Sequence, residues 1–316
     1  MTDGPSDHDR PASRVRACLE LVRLPNVFTA LADVTMGFLF THAEFGARDG
    51  WVLGLLLAAS GCLYAAGVAL NDVFDREADA RERPERPIPS GRVSVQAAKL
   101  VGWGLLIIGA AMACSAGVLA TAWRPAVVGL LLAGCIVLYD GLLKPTPLGP
   151  IAMGACRMLN VLLGMSVQPI PWAAEHWLVA AAIGTYIVGV TLLARNEARQ
   201  GSRWQLALAA IVILAGVGML MFLLPVMEEP ILTLIAEPYR WYLLLGLLGA
   251  LPALRLLQVI FEPCPDQVQV TVKHCILSLV IFDAAVCYAA RDIGDAAVVL
   301  LFLLPATILG RWIRST

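Results

Sequence analysis

Charge is scarce in this sequence: only 15% of its 316 residues are Asp, Glu, Lys or Arg, against about 25% in ordinary soluble domains. With 59% of the residues hydrophobic, the scarcity excludes a conventional solvated globule, whose surface needs more polar side chains than remain. No polar stretch long enough to separate two soluble domains lies between Leu24 and Gly310. The expectation is therefore a cytoplasmic N-terminal tail, residues 1–23, followed by a single transmembrane domain, residues 24–316. The tail lacks a basic start, an apolar centre and a small-residue cleavage site, so no secretory signal peptide is expected. The eight cysteines (Cys18, Cys62, Cys114, Cys135, Cys156, Cys264, Cys275 and Cys287) contain no C-x-x-C pair and no regular spacing. They read as small buried residues rather than disulfides or metal ligands. Four histidines, His8, His42, His176 and His274, make no ligand pair, which leaves haem and zinc without support. A net charge of −1 says little by itself, since what matters is where the charges lie, and no nucleic-acid partner is expected.

What the sequence has is apolar length. About 20 apolar residues in a helix cross a bilayer and satisfy their own backbone hydrogen bonds. Ten stretches qualify or nearly so: 24–43, 51–71, 100–123, 125–143, 146–169, 177–194, 204–227, 241–261, and the short 274–290 and 296–310. The fold class is thus all-α, a polytopic bundle of nine or ten helices, nine if the last is a surface helix. Seventeen of the 23 Lys and Arg fall on the side of the N-terminus; Arg48, Arg124, Arg240 and Arg291 fall on the other. That bias places the N-terminus in the cytosol of a multi-pass protein, expected in a bacterial inner membrane. Charged cytoplasmic segments follow the second and sixth spans, four helices apart, a spacing that would bring the two loops together over one cavity.

The first of those segments reads Asn71-Asp72-Val73-Phe74-Asp75-Arg76-Glu77-Ala78-Asp79, directly after a span without charge. Asn71, Asp75 and Asp79 are spaced to share one helical face, with Asp72 about 100° away. Clustered carboxylates repel one another unless a cation neutralises them, and Asn and Asp oxygens suit Mg²⁺ shared with substrate phosphates. A solvated amphipathic helix held by acid and base pairs is the competing reading, since Arg76, Arg81 and Arg83 interleave with the acids. The mouth of a membrane bundle favours the metal. Three prolines and a glycine in Arg83-Pro84-Glu85-Arg86-Pro87-Ile88-Pro89-Ser90-Gly91 then shape a loop able to present Arg86 to a diphosphate.

Residues 71–91 resemble the first motif of the UbiA superfamily of intramembrane prenyltransferases, N-D-x-x-D-x-x-x-D followed by an Arg-Pro-rich segment ending in Pro-Ser-Gly. Arg23-Leu24-Pro25-Asn26 is similar to that family's opening Arg-x-x-Pro-Asn, and Tyr139 and Lys144, followed by Thr146, Leu148 and Gly149, to its Tyr-Lys segment. The resemblance covers nearly the whole chain. It implies a helical bundle in which Mg²⁺ holds an isoprenoid diphosphate between two acidic motifs, with transfer of the prenyl group to an aromatic or other lipophilic acceptor. On that resemblance Asn71, Asp72, Asp75 and Asp79 are expected as metal ligands. Asp75, Asp79 and Lys144 are expected to carry the chemistry, with Asn26, Arg86 and Lys144 binding substrate.

The second motif departs from the family pattern. Residues 193–201 read Leu-Ala-Arg-Asn-Glu-Ala-Arg-Gln-Gly, in which Glu197 is the one acid. Three readings follow: Asn196 and Glu197 hold a single metal, Arg195 and Arg199 bind phosphate in its place, or the chemistry is lost and the fold binds or transports a lipid-like ligand. The departure resembles a divergent branch of the type found in bacterial Ebo gene clusters. Inside the spans, Asp33, Arg157, Arg255 and Asp283 are costly unless they face a cavity or a partner. Arg157 and Asn160, one turn apart, are expected to join Lys144 at a phosphate or acceptor group, with an Arg157 pair to Asp33 or Asp283 as the structural alternative.

Overall fold

The structure, a computed structural model, describes residues 11–42, 45–195, 202–227 and 238–312. These residues fold into helices: α1 (Pro11–Leu21), α2 (Leu24–Thr41), α3 (Ala47–Phe74), α4 (Arg76–Glu82), α5 (Val95–Ala120), α6 (Arg124–Leu138), α7 (Gly149–Gly164), α8 (Ala174–Arg195), α9 (Arg203–Met221), α10 (Leu223–Val226), α11 (Pro238–Phe261), α12 (Pro265–Ala290), α13 (Ile293–Leu300) and α14 (Leu303–Trp312). A π-helical turn, Tyr139–Leu143, extends α6. Among the described residues ten helical stretches are long and apolar enough to cross a membrane. Of these ten candidates, the final two, expected to be short, are the 26 residues of Pro265–Ala290 and the 20 of Ile293–Trp312, the latter made of α13 and α14 in succession. The protein is an integral, multi-pass membrane protein.

Side chains such as Leu100, Val118, Ile107 and Leu131 point outward from these helices, as expected where hydrocarbon replaces water as the solvent. Helices in lipid gain little from apolar burial against one another, so small residues that allow close backbone approach decide the packing. The α2–α7 crossing shows this. A Cβ on Gly37 would lie 2.6 Å from the Val161 carbonyl oxygen, and one on Gly164 2.4 Å from that of Val34. These two helices have the most deeply buried windows of the ten, and α3, α8 and α12 pack around them.

The segment expected as a cytoplasmic N-terminal tail is partly docked. Ala17 and Leu21 of α1 are buried against Ala69 and Val73 at the end of α3 and against Ile88, Val93 and Ala98. Glu20 completes the attachment by accepting from Arg92 Nη1 at 2.5 Å. An apolar stripe on a short polar helix is a weak sequence signal, which hid the helix in residues 1–23. Between α4 and α5 the proline-rich segment folds on itself. Ser90 Oγ donates to Arg86 O at 2.7 Å, Val93 N to Pro87 O at 2.9 Å, and Gly91 takes a left-handed φ of 75°. Ser94 then caps α5, its hydroxyl accepting from Ala97 N.

Candidate functional site at the end of the second span

The single acidic face expected over residues 71–79 divides into two. Asp75 interrupts the helix with φ −84° and ψ 0°, and Asp72 and Asp79, seven residues apart, return to nearly the same angular position. Asp72 Oδ1 and Asp79 Oδ2 therefore accept from one guanidinium nitrogen, Arg86 Nη1, at 3.3 and 2.7 Å. Arg23, held at a left-handed φ of 44°, adds a 3.2 Å contact to Asp72. Asp72, Asp79 and Arg86 are all buried. Removing either sign of such a group leaves a buried uncompensated charge, costing about 3–5 kcal/mol. Arg86 thus organises motif 1 from behind. A cavity of about 230 Å³ lies beside it, lined by Glu20, Arg23, Asp72, Glu85, Arg86, Pro87 and Arg92; each of its three arginines has an acidic side chain to balance it.

The other face meets the π-helical turn. Asn71 Nδ2 donates to Asp140 Oδ1 at 2.9 Å, and Lys144 Nζ pairs with Asp75. Asp140, which sequence reasoning passed over between Tyr139 and Lys144, is buried, and its second oxygen has no partner among the described residues. An acid following Tyr139 at the end of a span was the available signal. Arg195 at the end of α8 donates to the carbonyls of Lys144 and Thr146, the latter at 2.9 Å. The end of the sixth span therefore reaches motif 1 through the Lys144 segment, where Arg195 grips backbone; the second charged loop expected to share a cavity with the first lies mostly outside the described residues. Asn196, Glu197 and Arg199 lie outside the described residues. Asn26 is half-buried in the first turn of α2, where its carbonyl accepts from Thr29 Oγ1.

The expected joining of Arg157 and Asn160 to Lys144 is not what the fold makes. Arg157 Nε lies 2.5 Å from Asp33 Oδ2 and Nη2 donates to Thr29 O at 2.8 Å. Asn160 Nδ2 donates to Asp33 Oδ2 and Ala30 O, both at 2.9 Å, and accepts from Ser60 Oγ at 2.7 Å. The structural alternative holds: in the hydrocarbon the nearest acid claims the guanidinium, and Asp33 is fully buried.

Among the described residues no three acidic, histidine or cysteine side chains converge as a metal cluster. The donor set nonetheless fits Mg²⁺ in kind: Asp75, the Asn71 amide and the Asp140 carboxylate, one oxygen of which has no partner among the described residues, are hard oxygen donors at one mouth.

Fold and site together define a polytopic membrane protein with a mixed acidic and basic centre where its second, fourth and sixth spans meet. The chain belongs to the UbiA prenyltransferase family, which matches residues 31–277. Two relatives are digeranylgeranylglyceryl phosphate synthases. That of Methanopyrus kandleri is 36% identical over 163 residues, half of this chain and 57% of the relative. That of Saccharolobus solfataricus is 31% identical over 181 residues, 57% of this chain and 60% of the relative. The chain thus spans well under two thirds of the curated relatives it matches. Among solved structures, a UbiA homologue from Archaeoglobus fulgidus bound to GPP and Mg²⁺ superposes with a TM-score of 0.59 at 14% identity, covering 86% of this chain and 99% of that one. A structure concerning digeranylgeranylglyceryl phosphate synthase in membranes gives 0.61 at 20% identity, covering 88% and 98%. At these identities the superpositions establish the fold.

Proposed function

We propose that this protein transfers a prenyl group from an isoprenoid diphosphate to a lipophilic acceptor within the membrane, with Mg²⁺ as the required ion. One observation carries the reading: Asp75 and Asn71 face Lys144 and Asp140 across the mouth of the bundle. Mg²⁺, when bound, supplies positive charge that neutralises the diphosphate and eases its departure. Asn71, Asp75 and Asp140 would hold it, with Asp79 and Asp72 kept in register by Arg86. Lys144, released from Asp75, turns its ammonium to the diphosphate oxygens and stabilises charge as the carbon–oxygen bond breaks. The apolar bundle keeps water from the allylic cation, leaving the acceptor as the nucleophile. Asn26 and Arg195 support the substrate end, Arg195 by fixing the Lys144 backbone, and Asn196, Glu197 and Arg199 form the remainder of the second motif. The relatives' names favour an acceptor bearing glyceryl phosphate over an aromatic one. The positive charge bias puts this mouth and the N-terminus on the cytoplasmic face of the cell membrane.

The test uses membranes carrying the full chain, a labelled isoprenoid diphosphate, Mg²⁺ and a panel of glyceryl phosphate and aromatic acceptors. Transfer by the wild type and its loss in Asp75→Ala, which leaves the buried Arg86 cluster intact, support the assignment. Transfer that survives the substitution sinks the site, and binding of the diphosphate without transfer to any acceptor replaces catalysis with ligand carriage.

A further inference from the structure

Cys135 on α6 and Cys156 on α7 stand 21 positions apart in the chain, yet their Sγ atoms lie 3.4 Å from each other. Cys135 Sγ also lies 3.6 Å from the carbonyl oxygen of Ala152, one turn before Cys156, so the two helices run close at this level. Both thiols are free and both residues are half-buried. The chain between them carries Asp140, Lys144 and Thr146, whose side chain or backbone atoms hold Asn71, Asp75 and Arg195. Cys135 precedes Tyr139 by one helical turn, and the π-helical turn begins there.

We propose that Cys135 and Cys156 form a dithiol modification site, oxidised by a bilayer-soluble oxidant of the quinone class to an intramolecular disulfide that closes the loop bearing Asp140 and Lys144. The two S–H bonds break and one S–S bond forms. Two electrons and two protons pass to the quinone, which leaves as the hydroquinone. A membrane-soluble oxidant is specified because both thiols lie within spans, where charged oxidants are excluded. The sulfurs, 3.4 Å apart, have to close to about 2.05 Å for the bond to form. The other cysteines sit on α1, α3, α5 and α12 or just before α12, so they serve as internal controls. The functional consequence follows from position: Lys144 must leave Asp75 to meet a diphosphate, and a cross-link one turn below Tyr139 restrains the segment that has to move.

The experiment treats the full chain in lipid nanodiscs with tetramethylbenzoquinone, whose fully substituted ring resists thiol addition. Free thiols are then alkylated under denaturing conditions and the peptides mapped without reduction. The expected result is loss of two of the eight thiols, a cross-linked peptide joining 135 to 156, reversal by dithiothreitol, and slower hydrogen exchange over residues 139–148. Cys135→Ser and Cys156→Ala should each abolish the thiol loss, two different replacements guarding against one that folds poorly. Full alkylation of all eight thiols, or loss that maps to other cysteines or to intermolecular dimers, overturns the site. A disulfide that forms without slowing exchange at 139–148 overturns the clamp.

Discussion

Replacing Arg157 by Met keeps the volume and removes the charge, and the structure sets what should follow. Asp33 is fully buried on α2 and Asp283, fully buried on α12, stands beside it. The Arg157 guanidinium, 2.5 Å from Asp33, is the positive charge of that cluster. Without it Asp33 keeps its bond from Asn160 but loses its counter-ion, which for a broken buried pair costs about 3–5 kcal/mol. Arg157→Met/Asp33→Asn removes both charges and leaves an amide that still accepts from Asn160. The double variant should therefore recover at least ~2 kcal/mol of the loss, as coupled neighbours do. The assay is reversible unfolding in mixed micelles followed by tryptophan fluorescence on wild type, both singles and the double. The KM for isoprenoid diphosphate is measured in parallel on the folded fraction. The reasoning is refuted if Arg157→Met costs under about 1 kcal/mol, or if the double variant is no more stable than the single. A raised KM at unchanged stability would return Arg157 to the substrate site.

Lys144→Gln should lower the rate of prenyl transfer by about 10²-fold, as loss of one aimed charge does, while leaving unfolding almost unchanged, because its pair with Asp75 is partly exposed. Chelation with EDTA should abolish transfer, and added Mg²⁺ should restore it; activity that persists in EDTA argues against a divalent ion. Gly164→Ala drives a methyl against the Val34 carbonyl and should destabilise by about 1–3 kcal/mol, whereas Gly104→Ala on α5 meets open space and should be neutral or better in the same unfolding assay. Trp241→Phe loses the 3.1 Å bond from its indole N–H to Leu220 O and should cost about 0.5–1.5 kcal/mol.

Much of this protein was settled by its sequence. Hydropathy needs no tertiary information, because each span must satisfy its own backbone within lipid, and so the all-helical class and a count of nine or ten spans could be read directly. Motif 1 stood out for a related reason: acids directly after an apolar run break the hydropathy pattern. What depended on angle and distance between helices was not legible. Spacing put Asn71, Asp75 and Asp79 on one face, but the interruption at Asp75 and the reach of Arg86 from the folded proline loop gave Asp72 and Asp79 to one partner and Asn71 and Asp75 to others. Arg157 looked poised for phosphate until the packing of α2 on α7 set Asp33 against it. Asp140 offered only an acid after Tyr139 at the end of a span, and the facing thiols of Cys135 and Cys156 carried no pattern at all, because residues on different helices become neighbours only when those helices pack. Composition and hydropathy were enough for the membrane, for nine or ten crossings and for the end at which charge collects. Which charges meet was decided by the close approach of small-residue helix faces, a property of the assembled bundle rather than of any segment within it.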